Sequence, residues 1–457
     1  MTISRAFPVV SSAHYDVVVA GGGTTGIAAA LSAARAGART IIIDALGFLG
    51  GNATNIPAWL GFHDLSGNRV VGGIAQELVE QMQAAGGATK QYLDPICGSV
   101  VGTAGGWVKI VAMRSVLDAG VDVLLHSLVV DAEMAASRVQ GVYVQSKGGL
   151  HYISGDVVID CTDSGDVARV AGVSMHRGRA GDGRTQVSSW MVTIGHVDFE
   201  KTLAYFATNP AQEIRPFPLK DPDALLKQMR EADVFVLGAF RNLIQKAKAD
   251  GMDLARDVLP GIGFTRWGEF GTVASRVIDV DPNDAGSMTR AEIDGMQQTE
   301  VWITFLRNYV PGFEACRLVN TPSHIGMRET NHMAGEYTLT EDDLMSGRTF
   351  GDAIGRAGYH LDIHPPEHSD IETKAPPAYQ IPYRIMAPQG VEGLLVAGRA
   401  MSATHEAFSS IRVIPILMAC GEAAGAAAAL ALQRSTTVRD VPIAELQTRL
   451  RNAGAII

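Results

Sequence analysis

Three consecutive glycines stand near the start of the chain, within the segment VVVAGGGTTGIAAA of residues 17–30. The β-branched run before them, residues 15–20, predicts a buried parallel strand. The alanine-rich run after them, residues 26–38, predicts a helix, and residues 39–44 predict a second buried strand. Strand, glycine turn, helix and strand make one βαβ unit of about 30 residues, which commits this part of the chain to an α/β fold.

Gly21, Gly23 and Gly26 stand at the spacing GxGxxG inside this unit. In that arrangement Gly21 permits the tight turn, Gly23 allows a pyrophosphate to approach the backbone, and Gly26 allows the helix to pack closely on the strand. The start of the helix then offers free N–H groups to the phosphates. Asp44 ends the second strand, where a carboxylate accepts hydrogen bonds from ribose hydroxyls. The unit therefore predicts a dinucleotide site.

The glycine loop alone leaves NAD and FAD open, and the rest of the chain favours FAD. After the second strand the chain enters an irregular glycine-rich stretch instead of further βαβ units. The sequence that follows predicts a three-stranded meander with turns at residues 136–137 and 148–149, closing on a buried strand at 156–162. Far along the chain, a buried strand at 393–398, a polar loop and a long helix starting near Val413 are predicted to rejoin the first sheet. This is the layout of large FAD-binding folds.

The predicted fold class is therefore α/β. A discontinuous FAD-binding Rossmann-like domain, with a parallel sheet and a three-stranded β-meander, is expected at residues 1–166 and 380–457. An inserted α+β substrate domain is expected at residues 167–379. Within it, residues 364–377 form the most exposed predicted loop, because prolines and charged residues dominate there.

Several sequence blocks resemble a known family. They are GGNATN, GGIAQEL, VVIDCTDSGDVARVAG, IGMRETNHMAGEYTLTEDDL, DIHPP, IPYRIM and GLLVAGRAMSATHEAFSSIRV. Together with the glycine loop they resemble the FAD-dependent oxidoreductase family of the glutathione-reductase-like (GR2-type) superfold. The resemblance implies FAD, two-electron chemistry and a large substrate domain inserted between the two cofactor segments. No strong tethering signal is recognised, so non-covalent FAD is predicted. Two blocks depart from the family pattern: residues 162–166 read TDSGD where TGDGD is usual, and residues 328–331 read RETN where RETR is usual.

The glycine loop and the resemblance together give a set of expected FAD contacts. A helix starting near Val413 would direct its positive end at the flavin and stabilise the negative charge that develops on reduction. The expected contacts are Gly21, Gly23, Thr24, Thr25, Gly26, Asp44, Ala45, Gly51, Asn52, Val129, Thr162, Gly398, Arg399, Arg412 and Val413.

Histidines and arginines cluster in TPSHIGMRETNHMAGEYTL and GYHLDIHPPEH. A histidine takes a proton near neutral pH, as substrate oxidation requires when hydride leaves, and an arginine holds a carboxylate or an enolate-like anion. The candidate catalytic residues are His332, His364, Arg328 and His405, and the candidate substrate contacts are Glu329, Tyr383 and Arg384. A structural ion pair between Arg328 and Glu329, or a link between the insert and the cofactor domain, is the alternative for that pair, and helix capping or packing is the alternative for His405. No metal loop is recognised, so no metal is predicted.

Composition excludes several classes of protein. The net charge is −10 with no basic block, which argues against nucleic acid and anionic membranes as partners. The four cysteines are not arranged as CxxC, which argues against disulfide redox and iron–sulfur chemistry and fits buried thiols. The apolar tract at 413–432 contains Glu422, so a buried helix is expected there rather than a membrane span. No export signal is recognised and a cytoplasmic location is expected, while homo-oligomerisation stays open.

The sequence thus predicts an FAD-dependent dehydrogenase or oxidase that acts on a small organic substrate by hydride transfer to flavin N5. Electrons would pass to an external acceptor, because no second GxGxxG loop follows a predicted strand. Two alternatives remain at this point. Reduced flavin could reduce an activated double bond, or the enzyme could be a redox-neutral hydratase, isomerase or lyase.

Overall fold

A parallel sheet carries the glycine loop. The computed structural model describes residues 7–209, 213 and 222–457. In it β1 (Val9–Ala20) lies between β2 (Thr40–Ile43) and β9 (Gly149–Asp160), and β6 (Asp122–Leu124) extends the sheet beyond β2. All three pairings are parallel, and the apolar ends of β1 and β2 are buried. The predicted α/β class is confirmed.

A meander completes this sheet, and its last strand has two roles. β7 (Leu128–Ala135) and β8 (Arg138–Ser146) pair antiparallel, and β8 pairs antiparallel with the first half of β9. β9 then continues without a turn and pairs along its length with β1. The prediction of a separate returning strand at 156–162 was therefore wrong: the third meander strand and the returning strand are one element.

The far end of the chain rejoins this sheet. β21 (Leu394–Val396) pairs in parallel with the end of β9. The helix Ile414–Arg434, named α11 here, packs along α1 (Thr24–Arg35) so closely that a Cβ at Gly421 or Gly425 would collide with carbonyl oxygens of α1. α11 is long and apolar enough to cross a membrane, but 89% of its most apolar window is buried inside the protein, as the sequence predicts for a core helix.

The polar loop that the sequence predicts between β21 and α11 contains a short helix, α10 (His405–Ile411). Thr404 begins it, because its side-chain oxygen accepts a hydrogen bond from the backbone N–H of Ala407 at 3.3 Å. Every residue of α10 except Glu406 is buried, which is why this polar-looking segment orders as a helix.

A second sheet with its own hydrophobic core occupies the middle of the chain. Its strand order is β12–β13–β14–β11–β15, all antiparallel, and its core draws on residues from Trp190 to Met327. Apolar side chains of residues 339–385 belong to the first core instead. The domain boundaries at 166 and 380 stay a prediction. The strands are β11 (Val192–Gly195), β12 (Phe235–Ala239), β13 (Leu259–Phe264), β14 (Glu269–Thr272) and β15 (Arg317–Asn320).

The remaining elements cover these sheets. The helices are α2 (Gly73–Ala84), α3 (Gly105–Asp118), α4 (Asp166–Val170), α5 (Phe199–Thr208), α6 (Pro222–Glu231), α7 (Arg241–Ala249), α8 (Ala285–Tyr309), α9 (Glu341–Met345) and α12 (Ile443–Asn452), with 3-10 turns at Gly51–Thr54 and Tyr383–Ile385. The strands are β3 (Ala58–Leu60), β4 (Ala88–Asp94), β5 (Gly98–Thr103), β10 (Met175–Arg177), β16 (Asn331–Met333), β17 (Ala353–Ala357), β18 (Leu361–Ile363), β19 (Glu372–Lys374) and β20 (Tyr379–Pro382).

Candidate active site

A cavity of about 520 Å³ extends from the glycine loop to residues of the second sheet. This volume is within the usual range for a cofactor or substrate site. Of the expected FAD contacts, all but Gly26 line it: Gly21, Gly23, Thr24, Thr25, Asp44, Ala45, Gly51, Asn52, Val129, Thr162, Gly398, Arg399, Arg412 and Val413. Residues far apart in sequence are thus brought to one surface.

The three glycines of the GxGxxG loop differ in what surrounds them. Gly21 has a φ of +105°, and a Cβ there would collide with the backbone of Cys161. A Cβ at Gly26 would collide with the carbonyl oxygen of Gly21, so Gly26 serves the packing of α1. Gly23 has an ordinary φ of −65°, and a Cβ there would meet no protein atom within 4 Å. The protein itself therefore does not require glycine at position 23, whereas a ligand lying against this backbone would.

The start of α1 also fits an anionic group. Gly23 is the N-cap residue, no side chain caps the helix, and its first turn holds no acidic residue. The first N–H groups of a helix carry partial positive charge and bind phosphates well. With the open face of Gly23, this is a surface that the FAD pyrophosphate would fit, with Thr24 and Thr25 beside it.

Asp44 lines the same cavity and is held firmly. Its Oδ2 accepts a hydrogen bond from Gly22 N at 2.5 Å, and its Oδ1 accepts one from Leu46 N at 2.7 Å. Burial raises the pKa of its carboxyl group, and the two backbone hydrogen bonds oppose this effect. The carboxylate thus fastens the glycine loop to the end of β2. Its contact with the ribose stays a prediction.

Arg399 links the cavity wall to the segment that precedes Arg328. Its Nη1 donates to the carbonyl oxygen of Met327 at 2.6 Å, and its Nη2 forms an ion pair with the carboxylate of Asp163. Asp163 belongs to the TDSGD block, so the arginine joins both departing blocks of the family pattern. Asn331, in the other block, is buried and donates to the carbonyl oxygen of Ser164 at 3.3 Å. It does not line the cavity.

A second part of the cavity is built around Asp362, the middle residue of β18, and His364, which directly follows this strand. His364 Nε2 lies 3.2 Å from Asp362 Oδ1, and Arg412 Nη2 donates to Asp362 Oδ2 at 2.6 Å. His364 is buried, which contradicts the exposed loop that the sequence predicts from residue 364 onward. Burial lowers the pKa of His364 to about 3, with the charge of Arg328 adding to the effect. The imidazole is therefore neutral at neutral pH.

The protonation of this histidine follows from its neighbours. A neutral imidazole beside a carboxylate donates from the nearer nitrogen, so Nε2 carries the proton and Nδ1 keeps its lone pair. Nδ1 of His364 is buried and has no hydrogen-bond partner among the described residues. His364, a residue of the cavity lining, therefore keeps a nitrogen lone pair that no described residue occupies.

Arg328 also lines the cavity, but the structure does not pair it with Glu329. Its Nη1 donates to Val187 O at 2.7 Å and to Ser189 Oγ at 2.8 Å. Glu329 is fully buried and bonds instead to His405 Nδ1 at 2.8 Å and His332 Nε2 at 3.1 Å. The alternative of an Arg328–Glu329 ion pair was wrong, because each side chain is engaged by other partners. The alternative that this pair ties the insert to the cofactor domain stays a prediction.

Glu329, His332 and His405 form a buried network outside the residues that line the cavity. Burial acts to raise the pKa of Glu329, but the bonds from the two histidines outweigh it and bring that pKa down to about 2. Burial acts to lower the pKa of His405, and Glu329 outweighs it, so the net shift is upward. Both histidines are thus placed to hold the segment 329–332 against α10. Their assignment as proton-transfer residues gains no geometric support.

Tyr383 and Arg384 also lie away from the cavity. Tyr383 is buried and donates to the carbonyl oxygen of Val438 at 2.6 Å. Arg384 pairs with Asp352 at 2.9 Å on the outer surface. The predicted substrate contacts are therefore not brought together here, because these side chains fasten the chain to its neighbours.

Three further cavity residues escaped the sequence analysis: Arg256, His360 and Asp362. Asp362 and His360 had a recognisable signal. His360, Asp362 and His364 alternate, and side chains at i, i+2 and i+4 of a strand share one face. Arg256 carries no such pattern. A tertiary contact positions it: its Nε donates to the carbonyl oxygen of Ala274 at 2.9 Å.

One group of possible metal ligands occurs among the described residues, away from the cavity. His14, Asp16 and Asp156 bring ligand atoms within 4.8 Å of one another. His14 and Asp156 are exposed, and such groups are common on protein surfaces without an ion.

Comparison with solved structures shows the fold. The chain is similar to the myxobacterial chondrochloren halogenase CndH, an FAD-dependent halogenase, with 13% identity, a TM-score of 0.50, and coverage of 96% of this chain and 79% of that one. It is also similar to a geranylgeranyl bacteriochlorophyll reductase-like protein from Thermoplasma acidophilum, with 14% identity, a TM-score of 0.47, and coverage of 97% and 85%. No curated protein sequence matches the chain significantly. The family described as FAD dependent oxidoreductase matches residues 16–450, and the chain belongs to that family.

Proposed function

We propose that this FAD-dependent oxidoreductase is a dehydrogenase or oxidase of a small organic substrate. The observation that carries the proposal is the continuity of the cavity. One space is lined both by the glycine loop that fits the FAD pyrophosphate and by His364, whose neutral imidazole keeps a buried Nδ1 without a hydrogen-bond partner among the described residues. A base within the cofactor cavity is what substrate oxidation requires and what simple electron transfer does not.

FAD, when bound, supplies the oxidant that takes a hydrogen with its electron pair from a substrate carbon. The chain's own contribution is the removal of the proton that the same substrate loses from oxygen or nitrogen. That proton goes to Nδ1 of His364, while Asp362 holds the Nε2–H and fixes the ring. Arg328 is placed to orient the substrate, since its guanidinium borders the same space.

The electrons leave to an external acceptor, either dioxygen or a separate electron carrier. Residues 1–457 contain one glycine loop of the GxGxxG type, which supports this part of the proposal. The acceptor is identified by following reoxidation of reduced enzyme with oxygen and with one-electron and two-electron dyes.

The test is anaerobic mixing of oxidised holoenzyme with a panel of small alcohols, amines and hydroxy acids, read by the visible absorption of the flavin. Bleaching supports oxidation. Reoxidation of the reduced enzyme by an activated alkene would support reduction instead, and turnover without net bleaching would support a redox-neutral reaction. Either of the last two results contradicts the proposal.

The role of His364 is tested with the substrate found in this way. His364→Asn should slow flavin reduction by about 10²-fold or more while FAD stays bound. His368→Asn is the matched control, because the side chain of His368 is exposed and pairs with Glu372 in the same segment. Equal reduction rates in the His364 variant and the unaltered enzyme would remove this residue from the mechanism.

A further inference from the structure

The part of the cavity around His364 carries an excess of positive charge. Arg256, Arg328 and Arg412 all line it, and Asp362 is the buried acid among them. Asp370, also in the lining, is exposed at the surface. The two histidines, His360 and His364, do not add to the charge at neutral pH, because burial lowers the pKa of each.

Arg328 lines this space, and its carboxylate-binding edge is not engaged by the described residues. Its Nη1 is engaged by Val187 O and Ser189 Oγ, while Nε and Nη2 donate to no acceptor among the residues that the structure describes. The Nε and Nη2 hydrogens point the same way, so they match the two oxygens of a carboxylate. One end of the guanidinium is thus fixed and its binding edge is left available.

The two neighbouring arginines have fewer hydrogen-bond donors left for a bound anion. Arg256 is buried and donates from Nε to Ala274 O. Arg412 donates from Nη2 to both the carbonyl oxygen and the carboxylate of Asp362, and its buried Nε has no partner among the described residues. Both therefore add positive potential, whereas Arg328 offers the open pair of donors.

We propose that the substrate carries a carboxylate, which binds the Nε–Nη2 edge of Arg328 next to His364. This inference deepens the proposed function and rests on it. The carboxylate would offset the excess positive charge of the arginines. Keeping that charge away from water without an anion costs free energy. Uncharged substrates of the same shape would leave that charge uncompensated.

The charge state of the arginines supports this assignment. Burial lowers the pKa of Arg328 to about 9, and the repulsion from Arg412 adds to it. Burial and the charges of Arg328 and Arg276 lower the pKa of Arg256 as well. These shifts indicate that the acidic groups of the folded protein do not balance the positive charge of the three arginines.

The experiment titrates oxidised holoenzyme with propionate and succinate, each against its uncharged amide, at constant ionic strength set with chloride. Binding is read as a perturbation of the flavin absorption spectrum and needs no turnover. We expect each acid to bind at least about tenfold more tightly than its amide. Arg328→Gln should weaken binding of the acids by about 10²-fold, as loss of charge-assisted hydrogen bonds predicts, and Arg328→Lys should lie between. Arg434→Gln, an exposed arginine paired with Glu445, is the control and should bind as the unaltered enzyme does.

Equal affinity for acid and amide, or no perturbation by the acids, would overturn the inference, and these arms need no variant to fold. Unchanged affinity in a folded Arg328→Gln protein would overturn it too. The results also distinguish failure of the proposed oxidation from failure of the carboxylate site. If the acids bind but no compound bleaches the flavin, the carboxylate site stands and the oxidation does not. If uncharged compounds alone bind and bleach it, the oxidation stands and the carboxylate site does not.

Discussion

Replacement of Gly23 by alanine is expected to weaken FAD binding while leaving the free energy of unfolding nearly unchanged. The backbone at Gly23 has a φ of −65°, and a Cβ there points into open space. Alanine lowers the entropy of the unfolded chain, which stabilises by about 0.4–1 kcal/mol. Alanine is also a poorer N-cap than glycine, by an amount of about the same size. The two effects offset each other, so we expect the unfolding free energy of the FAD-free protein to change by less than about 1 kcal/mol.

FAD binding should respond quite differently. The methyl group would occupy the surface that the diphosphate needs, so that two or more charge-assisted hydrogen bonds are lost. Each is worth about 1.5–3 kcal/mol, which corresponds to a loss of affinity of about 10²–10⁴-fold. Gly23→Ala should therefore purify with little or no FAD, and adding FAD should no longer raise its unfolding temperature as it does for the unaltered protein.

The assay compares urea unfolding of FAD-free protein with FAD titration followed by flavin fluorescence. Gly26→Ala is the matched control, because its Cβ would collide with the carbonyl oxygen of Gly21. That variant should lose about 1–3 kcal/mol of stability even without FAD. A Gly23→Ala protein that keeps a full complement of FAD at unaltered affinity would refute the placement of the diphosphate on this backbone.

Three more predictions concern pH. Burial raises the pKa of Glu422 in α11 to about 7, so the folded protein should lose up to about 3 kcal/mol between pH 4.5 and pH 8 through this group. Glu422→Gln should remove this loss in urea unfolding measured at the two pH values, and an identical pH dependence in both proteins would contradict it. Glu329 has its pKa lowered to about 2, so it stabilises the fold above pH 4.5 and this contribution is lost as the pH falls toward 2. Glu329→Gln should therefore cost about 3 kcal/mol at pH 7 and flatten the acid limb of the stability curve, whereas unchanged stability would show that the network is dispensable. Finally, His364 faces Arg328, Asp362 and Arg256. A substrate carboxylate on Arg328 would offset a positive charge that lowers the pKa of His364, so the acid limb of kcat for flavin reduction should lie at higher pH than the acid limb of kcat/KM. The reverse order would contradict the assignment.

The cofactor side of the site could be predicted from the sequence because its signal is local. β1, the glycine loop, α1 and Asp44 follow one another within one supersecondary unit, and Gly21 and Gly26 have the turn and packing roles that their spacing indicates. α11 was recognisable from its small apolar residues. Its return to the first sheet followed from the layout of large FAD-binding folds.

The substrate side depends on contacts that no local pattern encodes. Arg328 and Glu329 are adjacent, yet one borders the cavity and the other is buried with two histidines. Sequence analysis could not tell the two sides of that segment apart. Arg256 reaches the cavity through the second sheet, and the residues that share its surroundings are distant in sequence.

The close packing of α11 on α1 has a consequence for biosynthesis. Gly421 and Gly425 meet α1 backbone to backbone, and β21 joins the sheet only through the end of β9. A nascent chain therefore lacks the cover of α11 over its first βαβ unit until residue 434 has been translated. We expect FAD to bind after that point, and truncations that remove α11 leave the first βαβ unit without its cover.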